Sequence, residues 1–252
     1  MDVTMLTIGS LAWVSLAALV CALCASASRG DRALAPAADE EVAARRAGNG
    51  LLGELARHDR FTRAHSLRVA RLADAVGRRM GLEASALEAL TRAAALHDVG
   101  KLRVPDAILR KPGPLDAAEW ALVAQHPRWG AELLEDVLDH GHAVAAVLSH
   151  HERFDGRGYP EGLEGSHIPL MARIVGACDA YDAMTSTRSY QRARSRAEAL
   201  AELSRCSGSQ FDPHVVEVLE EAVRAGADLA PSPPRRTRFR SRATARAAAL
   251  HF

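Results

Sequence analysis

Aromatic residues make up only 4% of this 252-residue chain, and it holds just four cysteines. The shortage of aromatics argues against sandwiches and barrels, whose strands draw on Tyr, Phe and Trp; with alanine and leucine abundant, it favours helices packed on helices. The cysteines suggest no disulfide framework. Cys21 and Cys24 fall inside an apolar run, and Cys178 and Cys206 lie in helical patterns without a partner by spacing, which agrees with a reducing compartment. The Cys-Ala-Leu-Cys spacing could bind a metal in another setting, but within a lipid-facing run it reads as apolar filling. Net charge is nearly missing too: +1 gives no ground for a nucleic-acid polymer as partner. No internal repeat is found. What remains, at 48% hydrophobic content, is ordinary globular material for one large domain or two small ones.

Charge is absent altogether from Met5 to Ala27, MLTIGSLAWVSLAALVCALCASA. As a helix rising ~1.5 Å per residue this segment can cross a hydrocarbon core ~30 Å thick. A cleaved signal peptide is the rival reading, since Ala25-Ser26-Ala27 has the small residues of a cleavage site, yet the positive n-region is lacking. Asp2 precedes the run while Arg29, Arg32, Arg45 and Arg46 come after it, so the positive-inside bias places the C-terminal bulk of the chain in the cytoplasm. The expected organisation is an anchor over 1–28, a linker over 29–50, a domain over 51–228 and a tail over 229–252. That tail carries Arg235, Arg236, Arg238, Arg240, Arg242 and Arg246 without an acidic residue. It reads as a solvated disordered segment, with attraction to anionic headgroups beside the anchor as the sharper alternative.

The domain reads as successive helices. His65, Val69, Leu72, Val76 and Met80 recur at three- and four-residue intervals, so His65 shares the apolar face of a helix over 62–80. Leu87, Leu90, Ala94 and His97 repeat the pattern. Asp116 and Glu119 form a capping box, and Asp212-Pro213 opens a last helix. The apolar run 143–148 delivers His150 and His151, and 172–184 is apolar nearly all round. One histidine on an apolar face is usually a satisfied core residue. Here His97 stands beside Asp98 on an expected buried helix, and Asp179 sits within another; buried carboxylates cost several kcal/mol unless a cation compensates them. Imidazole and carboxylate without thiolate suit Fe, Mn, Zn or Ni. A second His-Asp pair, His58-Asp59, lies in a polar stretch and reads as surface.

HDVGK at 97–101, RVPDAILRKPGPLDAAEW after it, QHPRWGAELL at 125–134, HHERFDGRGYPEGLEG at 150–165, IPLMARIVGACDAYDAMTSTRSY at 168–190 and SGSQFDP at 207–213 stand in one order. In these motifs the chain resembles the HD-GYP domains, a branch of the HD phosphohydrolase superfamily whose members hydrolyse cyclic di-GMP. The likeness covers nearly all of 55–224. It implies an all-α, HD-type helical bundle with a glycine-rich GYP loop, preceded here by the one N-terminal transmembrane helix. It further implies that His65, His97, Asp98 and Asp179 hold one metal, Asp98 bridging to a second held by His126, His150 and His151. Lys101 would stabilise phosphoryl oxygens or assist the leaving ribose oxygen. Arg188, with Gly158, Tyr159 and Pro160 of the loop, would face substrate, and Gly156, Gly158 and Gly162 would supply backbone conformations closed to other residues.

Two departures from the family pattern bear on this. Members with three metals carry a glutamate four residues before the first histidine; here that residue is Phe61, which favours two divalent ions, Fe or Mn. Gln191 stands where a basic residue often occurs, ahead of Arg192, and weakens the expectation for substrate affinity. The implied function is hydrolysis of cyclic di-GMP to pGpG and onward to GMP by a membrane-anchored enzyme with its catalytic domain in the cytoplasm. A homodimer and partners docked at the GYP loop are further expectations. The alternatives are a phosphohydrolase of another cyclic dinucleotide, or a non-catalytic binding module. Topology is testable directly: a phosphatase reporter fused after Phe252 should be inactive and a cytoplasmic fluorescent reporter active. The reverse pattern, or a soluble mature protein beginning at Ser28, would restore the signal-peptide reading.

Overall fold

A computed structural model describes residues 50–51, 53–54, 60–135, 141–186 and 193–227. The expected anchor, most of the linker and the basic tail, and with them His58, Asp59, Arg188, Gln191 and Arg192, lie outside the described residues. Among the described residues no helix is long and apolar enough to cross a membrane.

The architecture is all-α, with two isolated β-bridges and no strand among the described residues. The first long helix, α1, runs Arg60–Arg79. Its end is a glycine stop: Gly81 adopts φ 74°, its amide donates to the Arg78 carbonyl, and Leu82 donates to Gly77. A left-handed residue lets these amides turn back onto otherwise orphaned carbonyls, at little cost only for glycine. Next come α2, Ala84–Leu96, and a 3-10 helix, Val99–Arg103. The single turn α3, Asp106–Leu109, leads to α4, Ala117–Val123, opened by the Asp116/Glu119 capping box. Then α5, His126–Leu134, and α6, Gly141–Ser149, precede the GYP loop. Finally α7, Leu170–Thr185, α8, Arg196–Arg205, and α9, Pro213–Arg224, close the bundle, α9 capped by Asp212.

The core has two lobes. One gathers Leu72 and Val76 of α1, Leu90 of α2, Ile174 and Tyr181 of α7, Leu203 of α8 and Leu219 of α9. The other packs Leu96, Val99, Leu134, Val147, Ile168 and Ala172 between α2, α5, α6 and α7. Helix α7 belongs to both, which is why it is apolar nearly all round.

Two boundaries shape the histidine cluster, and the first differs from expectation. The His97-Asp98 pair does not sit within a helix: α2 ends at Leu96, His97 is its C-cap, and Asp98 precedes the 3-10 helix. Just beyond, Gly100 packs against α5 so closely that a Cβ would come within 1.9 Å of the His126 carbonyl oxygen. Likewise α6 ends at Ser149, so His150 and His151 lie in the turn beyond it. A helix turns ~100° per residue, and leaving it is what lets adjacent side chains face one region.

Leu219, fully buried in the first lobe, measures how much this packing contributes. Leu219→Ala should lower unfolding stability by about 2–5 kcal/mol, read as a fall in the denaturant midpoint at unchanged slope.

Candidate metal centre

Three rings are locked the same way. The Nδ1 atoms of His97, His126 and His150 lie 2.8, 2.7 and 2.7 Å from the carbonyl oxygens of Ala94, Val123 and Val147, each three residues back at or near a helix end. A carbonyl only accepts, so Nδ1 carries the hydrogen, and in the neutral ring Nε2 is a bare lone pair. Burial pushes the His126 ring down to about 3, and burial reinforced by neighbouring His151 and His97 pushes His150 well below its ordinary value, so both are neutral near pH 7. Their Nε2 atoms then stand 3.3 Å apart, lone pair toward lone pair. His97 Nε2 is buried with no hydrogen-bond partner. An arrangement of unprotonated donors facing one another in a dry site is costly unless a cation lies among them.

His126, His150 and His151 bring ligand atoms within 4.8 Å of one another, and so do His65, His97 and Asp98. Asp98 stands between the groups: one oxygen, Oδ2, is 3.5 Å from His97 Nε2, the other, Oδ1, 3.5 Å from His126 Nε2. Asp179, projecting from α7, puts Oδ1 at 3.1 Å from His65 Nε2 and 3.9 Å from His97 Nε2. Burial alone would raise both carboxyls, but Lys101 and the surrounding histidines hold Asp98 well below the carboxylate range, and His65 and His97 do the same for Asp179. Lys101 Nζ lies 2.7 Å from Asp98 Oδ2.

His65 is held differently. Its Nδ1 donates to Asp182 Oδ2 at 2.7 Å, and Asp182 is clasped by Arg68 through Nε at 2.6 Å and Nη2 at 2.9 Å. Burial opposes the charged ring, yet the hydrogen bonds to Asp179 and Asp182 outweigh it and raise His65 to about 9. The proton drawn to Nε2 occupies the place a cation would take between His65 and Asp179. Asp182 was not singled out in the sequence reading. Its signal was there: it comes three residues after Asp179 in a nearly all-apolar helix, one turn along the same face.

The GYP loop also rests on a carboxylate passed over in sequence. Glu152, 9% exposed, accepts the amides of Glu161 at 2.6 Å and Gly162 at 3.0 Å on Oε1 and that of Leu163 at 3.1 Å on Oε2. The SGSQ segment closes the loop from outside, where Phe154 and Asp155 donate to the carbonyls of Gln210 and Ser209. Gly156 and Gly162 do take positive φ, 74° and 68°. Gly158 does not, contrary to expectation; it is needed for space, since a Cβ there would lie 2.3 Å from the Arg153 amide nitrogen. The loop sets the Tyr159 ring, followed by cis Pro160, parallel to His151, centroids 4.9 Å apart and planes at 24°. Tyr159 thus flanks the candidate ligands, whereas Arg188 lies outside the described residues.

A family model described as an HD domain matches residues 51–215. A cyclic di-GMP phosphodiesterase of Pseudomonas aeruginosa is 42% identical over 166 residues, 66% of this chain and 40% of that one. A 3′3′-cGAMP-specific phosphodiesterase of Vibrio cholerae is 40% identical over 164 residues, 64% of this chain and 31% of that one. This chain therefore spans less than half the length of either relative. The solved structure of an HD-GYP-type protein from Bdellovibrio bacteriovorus superposes with a TM-score of 0.54 at 21% identity, over 65% of this chain and 52% of that one, and shares its fold.

Charged acceptors on amides are worth ~1.5–3 kcal/mol each, so Glu152→Ala should cost about 2 kcal/mol or more of local stability. Hydrogen exchange would show it as faster exchange at the amides of Glu161, Gly162 and Leu163, with protection in α9 unchanged.

Proposed function

Because the chain belongs to the HD domain family, we propose that it is a metal-dependent phosphodiesterase cleaving cyclic di-GMP to pGpG and onward to GMP. The observation that carries this reading is Asp98, whose two oxygens face Nε2 atoms of two separate groups, Oδ2 that of His97 and Oδ1 that of His126. HD phosphohydrolases use divalent metals, and His65, His97, Asp98 and Asp179 would hold one ion here, with Asp98 shared and His126, His150 and His151 holding the second. Fe or Mn fits oxygen and imidazole donors without thiolate. Phe61, one helical turn before His65 on α1, has no atom to ligate a third. When bound, the ions would screen the phosphodiester's charge and acidify a water nucleophile.

The protein's own groups do the rest. Helix-end carbonyls keep three rings in the one tautomer that offers Nε2, and Asp182 with Arg68 does so for His65. Lys101 adds a positive charge beside Asp98 for the phosphoryl oxygens or the departing ribose oxygen. The GYP loop presents Gly158, Tyr159 and Pro160, and Arg188 comes after α7 as a guanidinium for phosphate or guanine. A second reading, hydrolysis of another cyclic dinucleotide, is favoured by the similarity to a 3′3′-cGAMP-specific relative. The full set of candidate ligands argues against a non-catalytic module. Anchoring through 5–27 with the catalytic domain in the cytoplasm rests on the arginine asymmetry around that run.

Chromatography of products from the full chain, incubated anaerobically with Fe(II) or Mn(II) and cyclic di-GMP or 3′3′-cGAMP, tests both readings. We expect pGpG to appear with Mn(II) or Fe(II), to stop on chelation, and to resume on metal readdition, at about two ions per chain. Asp98→Ala should lower kcat about 1,000-fold or more, roughly 4 kcal/mol in transition-state terms, while circular dichroism stays that of a folded helical protein. Turnover surviving in that variant would sink the shared-carboxylate assignment.

A further inference from the structure

The groups assigned to the centre hold metal and meet phosphate; among those described, none obviously reads a base. One exposed aromatic is tied to the neighbourhood of the His126, His150 and His151 group. Trp120 lies on α4, 52% exposed, one of three large apolar side chains so exposed among the described residues. Its indole meets the Tyr159 ring edge-on, centroids 6.2 Å apart at 75°, and Tyr159 in turn lies parallel to His151 at 4.9 Å. Along the backbone the link is as short: Val123, the last residue of α4, supplies the carbonyl that locks His126.

The N-terminal turn of the helix is capped by several hydrogen bonds. Asp116 and Glu119 exchange amide hydrogen bonds of 2.9 and 2.8 Å, Lys111 Nζ sits 2.6 Å from Glu119 Oε2, and the Trp120 amide donates to the Asp116 carbonyl at 2.9 Å. Leu122, also exposed, is two positions on and does not share Trp120's face. The indole is therefore a single flat surface, separated from His151 by the Tyr159 ring, rather than part of a continuous apolar patch. A planar, apolar, π-bearing partner suits it, and every nucleobase offers such a face.

We propose that Trp120 is a stacking platform for one nucleobase of the substrate, Tyr159 backing the indole edge-on. This rests on the reading of the substrate as a nucleotide diester, and it adds a base-recognition residue to the described part of the site. Stacking makes the subsite tolerant of guanine or adenine, since it grips the ring face rather than the base edge.

The test compares two small ligands binding the full chain loaded with Mn(II): GMP, which has base and phosphate, and ribose 5-phosphate, which lacks the base. Calorimetry should show Trp120→Ala weakening GMP about five-fold or more while ribose 5-phosphate changes less than about two-fold; Trp120→Phe should keep most of the preference. In steady state, Trp120→Ala should raise KM for cyclic di-GMP about five-fold or more with kcat within about two-fold. An unchanged ratio of GMP to ribose 5-phosphate affinity in Trp120→Ala overturns the proposal, as does equal weakening of both ligands, which would make Trp120 merely structural. If the wild type hydrolyses no cyclic dinucleotide yet its preference for GMP needs Trp120, the functional reading fails and the stacking site stands.

Discussion

Everything at the candidate centre depends on one modest hydrogen bond made three times, from a histidine Nδ1 to the carbonyl three residues behind it. Helix ends leave carbonyls without intrahelical partners, and these imidazoles satisfy them. The return is a fixed tautomer and a fixed ring direction, so that Nε2 lone pairs point inward whether or not anything neutralises them. Burial then keeps His126 and His150 from protonating, and the repulsion between them remains as a standing demand for a cation. The same dry setting would be intolerable for Asp98 alone; Lys101 and the ring of histidines make its charge tenable.

The supporting structure answers that need. Helix ends must converge, so the bundle brings the C-terminus of α2, the N-terminus of α5 and the C-terminus of α6 to one place, while α1 and α7 contribute His65 and Asp179 from their sides. Close approach of these ends leaves no room for a Cβ at Gly100. The GYP loop is then a strap rather than a free surface loop. A buried carboxylate, Glu152, gathers its amides from inside, and Ser209 and Gln210 hold it from outside, fixing Tyr159 over His151. Two different carboxylates, Glu152 and Asp182, thus position the site without any need to touch a metal.

Much of this was legible before any coordinates. Apolar periodicity placed the long helices, the capping signals at Asp116 and Asp212 marked helix starts that the structure shares, and histidines on apolar faces beside buried carboxylates pointed to a cation. Such features are local: propensity, capping and the cost of burying charge act within a few residues and leave their mark in the order of the chain. The helix end at His97 was less legible, and the close approach there of the His126 carbonyl to Gly100 comes from a neighbouring helix rather than from the local sequence. Gly158 misled for the same reason; glycine for space and glycine for φ look alike in sequence.

By itself, then, the sequence determined the all-helical class, the order of motifs and the residue types able to bind a divalent ion. Only the tertiary structure decided which atoms do what: which oxygen of Asp98 faces which ring, that Asp182 and Arg68 orient His65, that Glu152 ties the loop, and that Trp120 reaches the site through Tyr159. The physical reason is distance along the chain. Asp182 meets His65 across 117 residues, and a contact of that kind is set by how helices pack, which no window of neighbouring residues encodes.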